Sequence, residues 1–202
     1  IQTIICRQEG GATMMAEAYG KMTGKPGVCL VTRGPGATNA SAGVHIAMQD
    51  STPLVLLVGQ VGRSMMDREA FQEIDYRRMF GEISKWVAQI EDPMRIPEYI
   101  NRAFYTATSG RPGPVVLALP EDMLTEFADS PAINSYQKVQ PYPSPSDLET
   151  LQSLLNAANA PLMIIGGGGW DSAACTKIQE FADRNNLACL LYTSPSPRDQ
   201  SG

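Results

Sequence analysis

The chain has 202 residues, of which 43% are hydrophobic and 18% are charged, and its formal net charge is −5. Its length suits one full domain and part of another, and the absence of a basic stripe excludes an electrostatically driven nucleic-acid partner. No apolar run is long enough to span a membrane, and four scattered cysteines predict reduced thiols in a cytoplasmic protein rather than a zinc site or a disulfide framework.

Residues 1–125 alternate predicted strands with predicted helices. The continuous apolar runs at 28–32 and 53–58 are typical of strands buried on both faces. The other predicted elements are strands at 1–6, 84–88 and 115–119, helices at 11–22, 40–49 and 97–109, and loops at 34–39 and 59–80. This alternation predicts an α/β fold, with a parallel sheet flanked by helices.

Residues 126–147 hold four prolines and no hydrophobic period, which predicts a linker. A second, truncated α/β domain is predicted at 148–188. Its elements are a helix at 146–159, a strand at 161–165, the glycine run Gly166–Gly169 and a helix at 172–185.

Both ends of the chain depart from this pattern. There is no initiator Met, so we expect the natural N-terminus to lie upstream. The Pro- and Ser-rich residues 189–202 match the translation of a transposase-type sequencing adapter. We interpret them as an artefact; a natural tail is the alternative.

Four short sequence motifs lie at the junctions of the predicted strands, helices and loops. They are Cys6-Arg-Gln-Glu-Gly-Gly-Ala12 with Met15-Ala-Glu-Ala-Tyr19, Thr32-Arg-Gly-Pro-Gly-Ala-Thr-Asn39, Ala70-Phe-Gln-Glu73, and Ser109-Gly-Arg-Pro-Gly-Pro-Val115. Each motif is weak alone. Their order and spacing resemble thiamine-diphosphate enzymes of the acetolactate synthase type, over roughly residues 1–188.

This resemblance implies three domains: a first that binds the pyrimidine of the cofactor, a middle domain, and a third that binds the diphosphate. The chain would hold most of the first domain and the start of the second. The implied cofactors are thiamine diphosphate, Mg²⁺ held by the third domain, and FAD in some members. The implied assembly is a homodimer or homotetramer with active sites between subunits. The 202-residue chain alone is therefore expected to be inactive.

Glu9 is the first candidate catalytic residue. The resemblance implies that its carboxyl hydrogen-bonds N1′ of the pyrimidine and favours the imino tautomer that removes the thiazolium proton. We expect it near the end of a buried strand, desolvated so that its pKa is raised. The alternative is a first-turn glutamate that complements the helix dipole. Glu17 and Glu73 are rivals, although Glu17 is expected to face solvent.

A glycine-rich loop is the second candidate, because glycines let backbone amides approach a ligand. Its residues are Gly34, Pro35, Gly36, Ala37, Thr38 and Asn39. The loop lacks the Lys-Ser/Thr of a P-loop, which argues against nucleoside triphosphates. The resemblance implies contact with the pyrimidine. The alternative is a tight turn in which Asn39 caps the next helix.

Three further residues have implied roles. By the resemblance, Phe71 and Gln72 face the reacting carbon in the partner's site, where Gln72 bonds the keto acid and Phe71 excludes water. Arg111 is implied to lie near FAD. The alternatives are a loop that packs on its own domain and, for Arg111, a turn between the last helix and strand.

Two other features give weaker support for a functional site. Gly166–Gly169 is not a GxGxxG motif, so a middle-domain turn is favoured over a dinucleotide site. His45, the only histidine, has no cysteine or carboxylate cluster in the sequence around it, so we expect no metal role.

The predicted function is thiamine-diphosphate-dependent decarboxylation of a small 2-keto acid with carboligation, by a lyase or transferase of branched-chain amino acid biosynthesis. Open alternatives are a keto-acid decarboxylase, a glyoxylate carboligase, an oxalyl-CoA decarboxylase, a non-catalytic binding module and a Rossmann oxidoreductase. The segment at 64–68 differs from the one expected of acetolactate synthases.

Overall fold

A computed structural model of the chain describes residues 2–131, 133–167 and 170–191. The chain divides into two compact units, one ending at Val139 and the other beginning at Gln140. The first unit contains α1 (Glu9–Thr23), β1 (Gly27–Val31), α2 (Pro35–Gln49), β2 (Leu54–Gln60), α3 (Tyr76–Phe80), β3 (Trp86–Gln89), α4 (Ile96–Thr108) and β4 (Pro114–Pro120). The second contains α5 (Pro145–Ala157), β5 (Leu162–Ile165), α6 (Ser172–Arg184) and β6 (Ala188–Leu191).

The first unit is built on a parallel sheet with the strand order β1-β2-β4-β3. Alternate residues of β2 face opposite sides, as the two-residue period of a strand requires. Leu54 and Leu56 pack in the core beneath α1, α2 and α3, whereas Val55 packs in the core beneath α4. The predicted parallel α/β fold is confirmed. The helices that connect the strands return antiparallel to them, so the helix N-termini lie at the carboxyl edge of the sheet.

The first predicted strand, at 1–6, is wrong for the described residues 2–6, which lie in no strand; Ile1 falls outside the described residues. Ile4 and Ile5 are exposed. The run has strand-forming residues but no hydrogen-bonded neighbour, and a strand without a partner leaves its backbone groups unpaired.

The prediction that β1 is buried on both faces is also wrong. Cys29 and Val31 are buried, but Val28 is 51% exposed and Leu30 is 69% exposed. The cause is position: β1 lies at the edge of the sheet, where α1 and α2 cover one face only. The run predicted at 53–58 falls largely in β2, a central strand, and is buried as predicted; β4, the other central strand, is also buried.

The predicted loops at 34–39 and 59–80 are partly helical. α2 begins at Pro35, five residues before the predicted start of that helix, because proline at a first helical position needs no N–H partner. The second loop ends in the short helix α3, whose first amides are capped by the side chain of Asp75. Asn39 therefore lies inside α2, and the residue at the N-cap position is Gly34.

Glu17 was expected to face solvent and is instead buried, with 7% of its surface exposed. Its Oε1 accepts a hydrogen bond from Thr52 Oγ1 at 3.0 Å and lies 3.2 Å from Lys21 Nζ. A Cβ at Gly20 would lie 2.4 Å from the Pro53 carbonyl oxygen. The second half of α1 therefore presses on the connection into β2, and this contact buries the glutamate.

In the second unit, β5 and β6 form a parallel pair. A capping box at Ser144 starts α5, and Asp171 caps α6. β6 was not predicted, and it includes Cys189, the first residue of the suspected adapter segment. Gly168, Gly169 and residues 192–202 lie outside the described residues. The domain boundaries at 1–125, 126–147, 148–188 and 189–202, and the adapter interpretation, stay predictions.

None of the helices in the described ranges combines the length and hydropathy needed to cross a bilayer.

Candidate functional site

Glu9 is the first residue of α1, at the carboxyl edge of the sheet. The helix begins here because the Gln8 side chain accepts from the Gly11 amide at 2.7 Å, which satisfies one of the unpaired N–H groups of the first turn. Thr13 Oγ1 donates to the Glu9 carbonyl oxygen at 2.7 Å. The backbone of Glu9 is thus held, and its half-buried carboxylate lies where the helix dipole favours negative charge.

The carboxylate of Glu9 has a partner on the neighbouring helix. Asn39 Nδ2 donates to Glu9 Oε2 at 3.0 Å. This hydrogen bond, together with a smaller contribution from the backbone at Glu9, lowers the pKa of the carboxyl. The expectation of a buried, desolvated acid with a raised pKa after a strand is therefore wrong for the described part of the chain: residues 2–8 lie in no strand, and donors stabilise the charged form of Glu9.

Small residues bring α1 and α2 close enough for this contact. A Cβ at Gly10 would lie 3.1 Å from the Asn39 carbonyl oxygen, and a Cβ at Gly43 would lie 2.7 Å from Thr13 Cβ. Ala40 is fully buried between them. The sequence offers a glycine at each point of close approach, so the distance between Glu9 and Asn39 follows from main-chain packing.

Gly34 forms the turn between β1 and α2, in the left-handed region with a φ of 60°. A Cβ here would lie 2.7 Å from Gln72 Cβ, so only glycine lets the two segments touch. Its amide donates to the hydroxyl of buried Tyr76 at 3.0 Å, and that hydroxyl donates to the Gly59 carbonyl at 3.2 Å.

The glycine-rich segment does not form an open amide cradle. The Gly34 amide is engaged by Tyr76, and Pro35 has no N–H. Gly36 and Ala37 are buried in the first turn of α2. Thr38 and Asn39 are exposed, so of these six residues the side chain of Asn39 makes the contact with the candidate catalytic acid.

Phe71 and Gln72 lie on a tight loop held against this turn. Gln72 has a φ of 67°, and the Glu73 carboxylate accepts from the amides of Asp67 at 2.7 Å and Ala70 at 3.1 Å. Phe71 is 79% exposed. Glu73, a rival for the catalytic role, instead fixes the loop, and the loop presents Phe71 outward.

The structure therefore brings most of the predicted site residues to one edge of the sheet. Glu9 meets Asn39, and Gln72 meets Gly34 at the start of the same helix. Tyr76, which ties the two parts together, was not predicted. The signal available in the sequence was Asp75, a good helix N-cap residue placed directly before it.

Arg111 lies at the opposite edge. Its guanidinium donates to Ser51 Oγ at 2.7 Å and to the carbonyls of Met48 at 2.9 Å and Gln49 at 3.0 Å, at the end of α2. Lys85 likewise donates to the Ser109 carbonyl at 2.6 Å beyond the end of α4. Both cations satisfy carbonyls at helix C-termini. A contact between Arg111 and FAD stays a prediction.

A cavity of about 200 Å³ opens at the carboxyl ends of β2, β3 and β4. Gln60, Tyr76, Gln89 and Glu91 are among the residues that line it, and Glu9 and Gln72 are not. Gln60 and Gln89 are bonded within the protein. The cavity therefore lies beside Tyr76, whose hydroxyl bonds Gly34 and Gly59, and Glu9 is not part of its lining.

Metal ligands do not gather in the described part of the chain: no group of three His, Cys, Asp or Glu side chains is placed to hold an ion. His45 is exposed on α2, 3.5 Å from Gln49. All four cysteines are free thiols.

The residues at this edge fit the recognition of an aminopyrimidine. One oxygen of Glu9 is anchored by Asn39, and no hydrogen bond from the described residues reaches the other oxygen, Oε1. A carboxylate oxygen so placed can engage a heterocyclic nitrogen. Elsewhere on the same edge, exposed Phe71 offers an aromatic surface, and Gln72 lies against Gly34.

Residues 1–79 match the family model described as "Thiamine pyrophosphate enzyme, N-terminal TPP binding domain". The chain is similar to the acetolactate synthase large subunit of Lactococcus lactis, at 41% identity over 93% of the chain and 33% of that protein. It is also similar to the chloroplastic acetolactate synthase of Arabidopsis thaliana, at 37% identity over 86% of the chain and 27% of that protein. A third relative is the acetolactate synthase isozyme 2 large subunit of Escherichia coli, at 34% identity over 95% of the chain and 35% of that protein. The chain thus spans about a third of the length of the curated relatives it matches.

Proposed function

We propose that the complete protein is a thiamine pyrophosphate enzyme, whose N-terminal TPP binding domain includes residues 1–79. It decarboxylates a 2-keto acid and ligates the product to an acceptor, as an acetolactate synthase does. The observation that carries this proposal is the carboxylate of Glu9 at the start of α1: Oε2 is anchored by Asn39, and no hydrogen bond from the described residues reaches Oε1. The names of the relatives support the same reaction class.

Glu9 is the proposed catalytic acid. Its position at the carboxyl edge, within a family whose cofactor carries an aminopyrimidine, supports a hydrogen bond between Oε1 and a ring nitrogen of that group. Thiamine diphosphate, when bound, supplies the carbon that adds to the keto group and accepts the electrons of the bond to CO₂. Glu9 would hold or release a proton at that ring nitrogen as the chemistry demands.

Phe71 and Gln72 are the proposed substrate-side residues. The exposed ring of Phe71 would exclude water from the reacting carbon, and the Gln72 amide would hydrogen-bond the keto acid. The positive φ of Gln72 and its contact with Gly34 support this role, because strained backbone is held at functional sites by surrounding structure.

The remaining partners follow from the proposed reaction. Mg²⁺ would be held with the diphosphate by a further domain, and the active site would be completed by a second subunit of a homodimer or homotetramer. FAD would lie near Arg111 if the protein shares the flavin of some relatives. The four free thiols support a cytoplasmic location.

The test is the exchange Glu9→Gln in the complete protein. The glutamine keeps the shape of the side chain but cannot exchange a proton at the ring nitrogen. We expect the release of CO₂ from pyruvate, with thiamine diphosphate and Mg²⁺, to fall by roughly 10² to 10⁴.

Glu82→Gln is the matched control, since Glu82 is exposed on the turn after α3 and should tolerate the exchange. Wild-type turnover in the Glu9→Gln protein would refute the assignment of Glu9. No CO₂ release by the wild-type protein from any 2-keto acid would refute the reaction itself.

A further inference from the structure

Asn39 is held in place by backbone packing between two helices. It lies in the second turn of α2, and the close approach of α1 at Gly10 leaves 3.1 Å between its carbonyl oxygen and a Cβ built on that glycine. With the main chain of Asn39 so confined, its amide reaches Glu9 Oε2 at 3.0 Å. The contact joins two residues that are 30 positions apart in the chain.

The amide is the partner of the carboxylate that the structure provides. Among the described residues no lysine, arginine or histidine forms an ion pair with Glu9. Cys29 on β1 lies within electrostatic range of Glu9 and of Cys6. Burial raises the pKa of the Cys29 thiol, which is therefore neutral near pH 7.

One donor on one oxygen leaves the carboxylate asymmetric. Oε2 accepts from Asn39, and Oε1 receives no hydrogen bond from the described residues. An unanchored glutamate samples many rotamers, and ordering it on binding would weaken the affinity for any ligand of Oε1.

We propose that Asn39 is a positioning residue for Glu9: it holds Oε2 so that Oε1 faces the pyrimidine of the cofactor, and it does not itself touch the cofactor. This inference rests on the proposed function and goes beyond the family resemblance, which assigned Asn39 to the cofactor contact. A positioning role has a signature that helix packing lacks, because it changes the titration of the residue that it positions.

The first test uses the 202-residue chain labelled with ¹³C at the glutamate carboxyls, with the Glu9 signal assigned through Glu9→Gln. Asn39→Ala removes the donor, so the pH midpoint of Glu9 should rise. Asn39→Asp replaces the donor with a like charge of the same shape, so the midpoint should rise further. Ser41→Ala is the control: its hydroxyl bonds the Thr38 carbonyl in the same helix, and its removal should leave the midpoint unchanged.

Equal midpoints in all four proteins would overturn the proposal. Circular dichroism reports whether each variant is folded. Should Asn39→Ala unfold, the isosteric Asn39→Asp protein gives the decisive comparison, and Asn39→Gln, which keeps the amide, should restore part of the wild-type titration.

The second test measures binding of thiamine diphosphate with Mg²⁺ to the complete protein, by quenching of tryptophan fluorescence. Asn39→Ala should weaken the affinity about tenfold, the typical effect of losing one hydrogen bond to a charged group. Ser41→Ala should bind as the wild type does. A wild-type protein that binds no thiamine diphosphate would defeat the proposed function, while the titration still decides whether Asn39 controls Glu9. Unchanged titration and unchanged affinity in Asn39→Ala, with normal wild-type binding, would defeat this inference alone.

Discussion

At the scale of single residues, the carboxylates at the carboxyl edge are stabilised by hydrogen-bond donors and are not buried. Arg63 lies near the start of the loop that carries Phe71. It donates two hydrogen bonds to the carboxylate of Asp122, which follows β4: one from its backbone amide at 3.0 Å and one from Nε at 2.9 Å. Its guanidinium also bonds the Glu91 carbonyl and the Glu126 carboxylate. This network fixes the start of the loop against the sheet.

The Arg63–Asp122 pair predicts a pH-dependent stability. Bonding to Arg63 lowers the pKa of Asp122 below its ordinary value of 3.8, so the stabilisation is present above that value and lost as the pH falls through the lower, folded-state pKa. Asp122→Asn should therefore lower the free energy of unfolding at neutral pH, and the difference from wild type should close in acid. Urea unfolding between about pH 2 and pH 7 measures this difference.

Asp129→Asn is the control for this experiment, since Asp129 is exposed beyond β4. Its unfolding curve should follow the wild type at every pH. A difference between Asp122→Asn and wild type that stays constant with pH would show that the pair does not titrate as described.

At the scale of elements, α1 and β1 are joined by a contact that leaves no room for a side chain. A Cβ at Gly27 would lie 1.9 Å from the Ala16 carbonyl oxygen, so the start of β1 rests directly on the backbone of α1. This contact sets the distance between the helix that carries Glu9 and the sheet.

We expect Gly27→Ala to destabilise the first unit by about 2–3 kcal/mol, because the helix and strand must separate to admit the methyl group. Gly11→Ala is the matched control within α1. Its Cβ would meet only Gln8 Oε1, at 3.8 Å, so the better helix propensity of alanine should stabilise by about 0.5–1 kcal/mol. Thermal unfolding of the two variants should thus shift in opposite directions, and a shift in the same direction would contradict the packing described.

The strands and helices that are easiest to predict are those whose structure depends on their own residues. The buried runs of β2 and β4 and the period of α4 follow from their own residues. Edge position is not a local property, which is why the exposure of Val28 and Leu30 was missed. The burial of Glu17 depends on Thr52, far along the chain, and the helical state of Pro35 was hidden because a glycine-proline-glycine string is equally typical of a loop. Glu9 and Asn39 could be chosen as site residues by resemblance, but their mutual hydrogen bond required the fold.

At the scale of the whole molecule, the chain consists of two units with an exposed connection that lacks helix and strand at residues 126–131 and 133–144. Lys138 is the tryptic site of this stretch, and it is exposed. The units meet in sequence at Val139 and Gln140. The connection is therefore the place where the backbone is most open to a protease.

Limited trypsin digestion should cut first after Lys138 and release a folded fragment ending there, because cleavage inside the sheet requires unfolding. Mass spectrometry of the early products identifies the site. Lys138→Gln should slow the appearance of this fragment strongly, and a first cut within α1 to β4 of the wild type would contradict the division into units.

The buried pair of Glu17 and Thr52 lies away from Glu9, toward the amino edge of the sheet where β2 begins. Substitutions that change the packing at the amino edge can therefore alter the stability of the first unit without touching the contact between Glu9 and Asn39 at the carboxyl edge. The two ends of α1 are open to independent change.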